Sequence, residues 1–117
     1  MPDVKFCGLT RPADAALGAA LGARFLGVVF ADSPRRVDVA AARAIFGAVP
    51  PGPRRVGVFG AAPTAEIAET ARDVGLDVVQ LHGDPSVDDV RALRSQFEGE
   101  IWAACSGPTI CLYQSPQ

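Results

Sequence analysis

The chain has 117 residues, is 49% hydrophobic, and carries 11 basic against 13 acidic residues for a formal net charge of -2. That is the size and composition of one globular domain; it excludes a disordered tail, collagen-like sequence and a transmembrane helix, which needs roughly 18 apolar residues in a row. Lys5 is the only lysine and the arginines are scattered, so the clustered basic surface of a nucleic-acid or membrane binder is missing and neither partner is expected.

Residues 4–7 form a short apolar run closed by Gly8, a first expected strand. Thr10 is expected to cap a helix with Ala13, Ala16, Leu17, Ala20 and Leu21 on its inward face, ended by Gly22. Residues 25–30 (Phe-Leu-Gly-Val-Val-Phe) are a second strand. Asp38 caps a second helix with Val39, Ala42, Ile45, Phe46 and Val49 inward, stopped by Pro50 and Pro51. Residues 55–59 are a third strand, and Pro63 or Thr64 opens a third helix with Ile67, Ala68, Ala71 and Val74 inward and Gly75 at its end. Residues 76–81 are a fourth strand. Ser86 opens a fourth helix with Asp89 as capping-box partner and Val87, Val90, Leu93 or the stem of Arg94, and Phe97 inward. Residues 100–104 are a shorter fifth strand.

The strong strands are rich in Val and Phe, short and barely alternating, as strands buried on both faces of a parallel sheet are. Strand and helix alternate throughout, which predicts an α/β fold with right-handed crossovers. Either an open doubly wound sheet or part of a (β/α)8 TIM barrel fits; barrels start at about 200 residues, so this chain would be about half of one. Residues 105–117 have no helical period and contain two prolines. They read as an irregular, divergent tail after a domain of residues 1–104.

Three cysteines, Cys7, Cys105 and Cys111, a single histidine and no Cys-x-x-Cys argue against a disulfide framework and against a zinc site. The N-terminus has no basic region followed by an apolar stretch, so export is not expected and the anticipated location is cytoplasmic.

Function in parallel α/β folds gathers at the C-terminal ends of the strands. Cys7 and Gly8 follow the first strand, Asp32 to Arg36 the second, Phe59 and Gly60 the third, and Gln80 to Asp84 close the fourth. A thiol, a guanidinium, an amide and the only imidazole are thus expected on one rim. Cys7 there is a general base as a thiolate, with Lys5 nearby, or a buried small apolar residue, which free cysteine more often is. His82 is a substrate contact or a loop hydrogen-bonding group. Arg35 is a solvated surface residue or a fork for a planar carboxylate.

The run Lys5-Phe6-Cys7-Gly8-Leu9-Thr10 resembles the opening strand of the phosphoribosylanthranilate isomerase family of tryptophan biosynthesis. The resemblance continues through Ser33-Pro34-Arg35-Arg36-Val37, Val56-Gly57-Val58-Phe59 and Val79-Gln80-Leu81-His82-Gly83, and Ile101-Trp102 is similar to the family's fifth strand. It covers residues 3 to about 104 and only the first half of the family's barrel.

The resemblance implies an intramolecular aldose–ketose isomerase. Its reaction is the Amadori rearrangement of N-(5-phosphoribosyl)anthranilate to 1-(2-carboxyphenylamino)-1-deoxyribulose 5-phosphate, with no metal or organic cofactor. It implies that Cys7 is the general base at the sugar C2 proton, that Arg35 contacts the anthranilate group, and that Gln80 and His82 line the substrate site. The family's general acid at the end of strand 6 and its phosphate-binding loops after strands 6 to 8 have no counterpart in these residues. A truncated or frame-shifted member, inactive alone, is therefore expected. The alternatives are a non-catalytic half-barrel that associates through open sheet edges, with itself or a partner, and a different phosphosugar barrel enzyme.

Overall fold

The computed structural model describes residues 4–83, 85–103 and, as backbone, 104 and 112–114. The elements are β1 (Lys5–Phe6), α1 (Pro12–Ala20), β2 (Phe25–Val29), α2 (Val39–Gly47), β3 (Arg54–Phe59), α3 (Thr64–Val74), β4 (Val78–His82), α4 (Val87–Arg94), β5 (Glu100–Ala104) and β6 (Leu112–Gln114). All five expected strands and four expected helices are present, with ends shifted by up to three residues. The remainder of the 105–117 tail, with Cys105 and Cys111, lies outside the described residues, as does Asp84. The expectation of a wholly irregular tail is corrected at one place: β6 pairs antiparallel with β5, Ala103 opposite Tyr113.

Strand order follows chain order, β1 to β5, and every neighbouring pair among them is parallel. A doubly wound sheet reverses its strand order at a switch point. This one never does, so successive right-handed crossovers lay all four helices on one face. The barrel alternative is therefore the observed one, as an open arc of five parallel strands.

Side-chain alternation gives the arc two faces. On the helix side, Leu26, Val28, Val79 and Ile101 of the sheet join Ile45, Phe46, Ile67 and Leu93 of the helices in one core, each at most 2% exposed. At about 1.5–3 kcal/mol per fully buried large apolar side chain, this layer is the main source of stability. The intervening residues, among them Phe25, Gly27, Val29, Val58, Gln80 and Trp102, belong to the concave face.

The cap signals divide. Asp38 accepts from Ala41 N at 2.8 Å, and Ser86 with Asp89 makes a full capping box. Thr10 does not cap α1: the N-cap is Arg11, with no side-chain bond, and Pro12 supplies the pre-set φ that starts the helix. The expected inward face of α1 is also wrong. Ala15 and Gly18 are its buried residues, while Leu17 and Leu21 are 58% and 68% exposed. A Cβ on Gly18 would lie 2.9 Å from Leu26 and 3.2 Å from Phe6, so the helix approaches the sheet through its smallest residues and turns its leucines outward. Val87 is likewise 67% exposed rather than inward. Phe97 is buried but follows the helix.

Candidate active site

The concave face carries the polar residues. Cys7, one step beyond β1, lies over Gly27 of β2: a Cβ on that glycine would sit 3.5 Å from Cys7 Sγ. Cys7 is exposed. The reading of Cys7 as a buried small apolar residue is thereby overturned, since the strand ends before it and lifts the thiol to the rim.

Arg35 lies in the turn after β2. That turn is held by Arg36 N donating to Ser33 O at 3.0 Å, Val37 N to Val29 O at 2.9 Å, and Arg35 N to Ser33 Oγ at 3.2 Å. The arginine is exposed by area, yet its guanidinium is folded back onto Gly8. Nη1, Cζ and Nε would lie 2.6, 2.8 and 3.0 Å from a Cβ there. Gly8 has φ +77°, so it serves both the left-handed turn after Cys7 and the space for the guanidinium. The cation and the thiol thus meet at adjacent residues of one loop.

Gln80 is half-buried on β4. Its Oε1 accepts from Lys5 Nζ, and the same ammonium sits 5.3 Å from the ring centroid of Trp102. Phe25 packs edge-on against that ring at 5.0 Å between centroids. At about 4.8 Å per strand spacing, β1 and β4 would be roughly 14 Å apart in a flat sheet. Their side chains meet because the sheet curves. On the strands' first residues, Arg54 of β3 pairs with Glu100 of β5 at 3.0 Å across β4, beneath the rim, and Val56 and Val78 beside them are fully buried.

His82 ends β4, exposed. Its ring makes no hydrogen bond within the described residues, and it borders a cavity of 280 Å³ lined also by Gly60, Thr64, Gly83 and Asp89. Cys7 and Arg35 therefore converge at the start of the arc, while Gln80 and His82 stand across it on β4. Lys5 and Trp102 are the members whose joint position was missed. A lysine and a tryptophan at interior parity inside short apolar strands were the available signal. Gly8 and Gly27, which make room for Arg35 and Cys7, left no such signal beyond being glycine. Among the described residues, no group of three His, Cys, Asp or Glu side chains is gathered to hold a metal. No helix among them is long and apolar enough to cross a membrane.

The family model described as N-(5'phosphoribosyl)anthranilate (PRA) isomerase matches residues 4–108. The chain belongs to the PRA isomerase family. It is 45% identical over 103 residues to the N-(5'-phosphoribosyl)anthranilate isomerase of Bacillus velezensis, covering 88% of this chain and 48% of that protein. To the Rubrobacter xylanophilus isomerase it is 48% identical over 104 residues, covering 88% and 50%. The solved phosphoribosyl anthranilate isomerase of Thermus thermophilus superposes with a TM-score of 0.80 at 38% identity, covering 92% of this chain and 52% of that one. A second solved PRA isomerase, in complex with reduced 1-(o-carboxyphenylamino)-1-deoxyribulose 5-phosphate, gives 0.79 at 34% identity, covering 90% and 53%. The chain spans about half the length of the curated relatives it matches. The five parallel strands and four helices thus correspond to about half of the TIM barrel of the solved PRA isomerases.

Proposed function

We propose that these residues form the base-bearing half of a PRA isomerase site, taking the substrate that the family's name gives. In the ring-opened substrate, the thiolate of Cys7 takes the proton from C2. The electron pair moves to the C1–C2 bond and the C1=N π electrons to nitrogen, which takes a proton. The resulting enol returns its hydroxyl proton and C1 gains one, giving the 2-ketone. Arg35 meets the anthranilate carboxylate as a planar fork, and Gln80 and His82 contact the sugar from the facing strand.

The observation that carries this reading is the Arg35 guanidinium folded over Gly8 beside the exposed Cys7. A guanidinium, suited to a carboxylate, beside a thiol at one strand end supports the reading in a chain of this family. Protonation of the ring oxygen and binding of the phosphate fall to the other half of the barrel, so residues 1–117 alone are expected to be inactive. The test is a joined barrel in which residues 1–104 are followed by the second half of the Rubrobacter relative, assayed by loss of substrate fluorescence. Cys7→Ala should lower kcat by about 10²–10⁴-fold, as removal of a positioned base does. Unchanged turnover would overturn the assignment.

A further inference from the structure

We propose that Lys5 is a positioning residue that orients the side-chain amide of Gln80, so that Gln80 donates from Nε2 to a ribose oxygen of the substrate. This rests on the reading of the site given above.

Lys5 is the only lysine of the chain, and it stands on the concave face two residues before Cys7. An ammonium taken partly out of water needs partners. Among the described residues Lys5 has two, the Gln80 carbonyl oxygen and the face of Trp102. An ammonium has three donors and no acceptor, so it admits only one orientation of a primary amide, with Oε1 toward it. Nε2, with two N–H groups, is left pointing away from Lys5. The described residues offer it no hydrogen-bond partner. A glutamine without Lys5 would be free to turn either end outward; with Lys5 it presents a donor.

Trp102 supports the same arrangement from an independent side. Its Nε1 is buried and has no hydrogen-bond partner among the described residues. Such a donor costs stability, so the ring would be expected to turn or to be replaced by phenylalanine if it served packing alone. Its position is instead the one that puts its face to Lys5 and its neighbour Phe25 edge-on. Trp102 is the register partner of Gln80 on the adjacent strand, so platform, cation and amide form one connected unit. A neutral donor suits a neutral sugar oxygen, whereas the carboxylate is matched by the guanidinium of Arg35.

The first test uses the 117-residue chain labelled with ¹⁵N. The Gln80 side-chain NH2 pair is assigned by its loss in Gln80→Met. Lys5→Met should move that pair to the position of a free amide and change the emission of Trp102, the single tryptophan. Lys5→Arg should keep both near their original values. If Lys5→Met unfolds the chain, Lys5→Arg decides, and a free-amide position for Gln80 in that variant overturns the proposal. So does an unmoved pair in folded Lys5→Met. The second test is kinetic, in the joined barrel. Lys5→Met and Gln80→Met should each raise KM roughly 3- to 10-fold, the scale of one hydrogen bond, with a smaller change in kcat. The double variant should match Gln80→Met alone; additive effects overturn the proposal. Failure of the Cys7 assignment is read separately, as Cys7→Ala retaining kcat.

Discussion

The guanidinium of Arg35 occupies the space that a side chain on Gly8 would fill, with Nη1 2.6 Å from the Cβ position. A methyl group there displaces the end of a flexible side chain, which is cheap, and forces a non-glycine residue to φ +77°, which costs about 1–2 kcal/mol. Gly8→Ala is therefore expected to lower stability by that amount in denaturant unfolding. In the joined barrel it should raise KM by moving Arg35 off its seat. A KM unchanged by Gly8→Ala would show that the seat does not set the position of Arg35.

Arg35 and Arg36 are neighbours with different surroundings. Arg35 lies on Gly8, while Arg36 borders a separate cleft of 470 Å³ beside Asp38 and Glu66, on the helix side of the sheet. Arg35→Lys should raise KM more than Arg36→Lys, because lysine lacks the planar fork. Equal effects in steady-state kinetics would assign the carboxylate contact elsewhere.

Cys7 is exposed. Cys7→Ala should therefore leave the unfolding free energy within about 0.5 kcal/mol of the parent, as substitutions outside the core do. A large loss of stability would mean that any fall in turnover reports folding rather than removal of the base.

The helix caps give a paired stability test. Ser86→Ala removes both the Ser86 Oγ acceptor at 3.0 Å from Asp89 N and the reciprocal geometry of the box, and should cost about 1 kcal/mol. Thr10→Ala should cost about 0.5 kcal/mol or less, because Arg11 is the N-cap of α1. Equal losses by thermal unfolding would contradict the assigned start of α1.

Residues 1–117 expressed alone should show no isomerase turnover and should associate. Val4, Leu17 and Leu21 are 46%, 58% and 68% exposed along the β1–α1 side, and among the described residues β1 pairs with β2 only. An open strand edge beside exposed apolar residues favours association. Size-exclusion chromatography combined with the fluorescence assay checks both points, and a monomer with turnover would contradict them.

The sequence by itself determined the order of strands and helices, because buried parallel strands and amphipathic helices leave local patterns. Asp38, the Ser86–Asp89 box and Gly75, which closes α3 at φ +79°, act within a few residues of themselves and were legible for that reason. The strand-end motifs around Cys7, Arg35, Gln80 and His82 placed the candidate site on one rim. Which face α1 buries was not legible, since Ala13, Ala16 and Leu17 satisfy the helical period as well as Ala15 and Gly18 do. Only the approach of the helix to Leu26 and Phe6 selects the small residues. Whether the sheet reverses or keeps curving was open too, because a crossover helix looks the same in both cases. The tertiary structure decided it by keeping strand order equal to chain order. That curvature brings Lys5 of β1 onto Gln80 of β4 and Trp102 of β5. Contacts across 75 residues of chain depend on how far the sheet bends, a property summed over every strand pair and written in none of them singly.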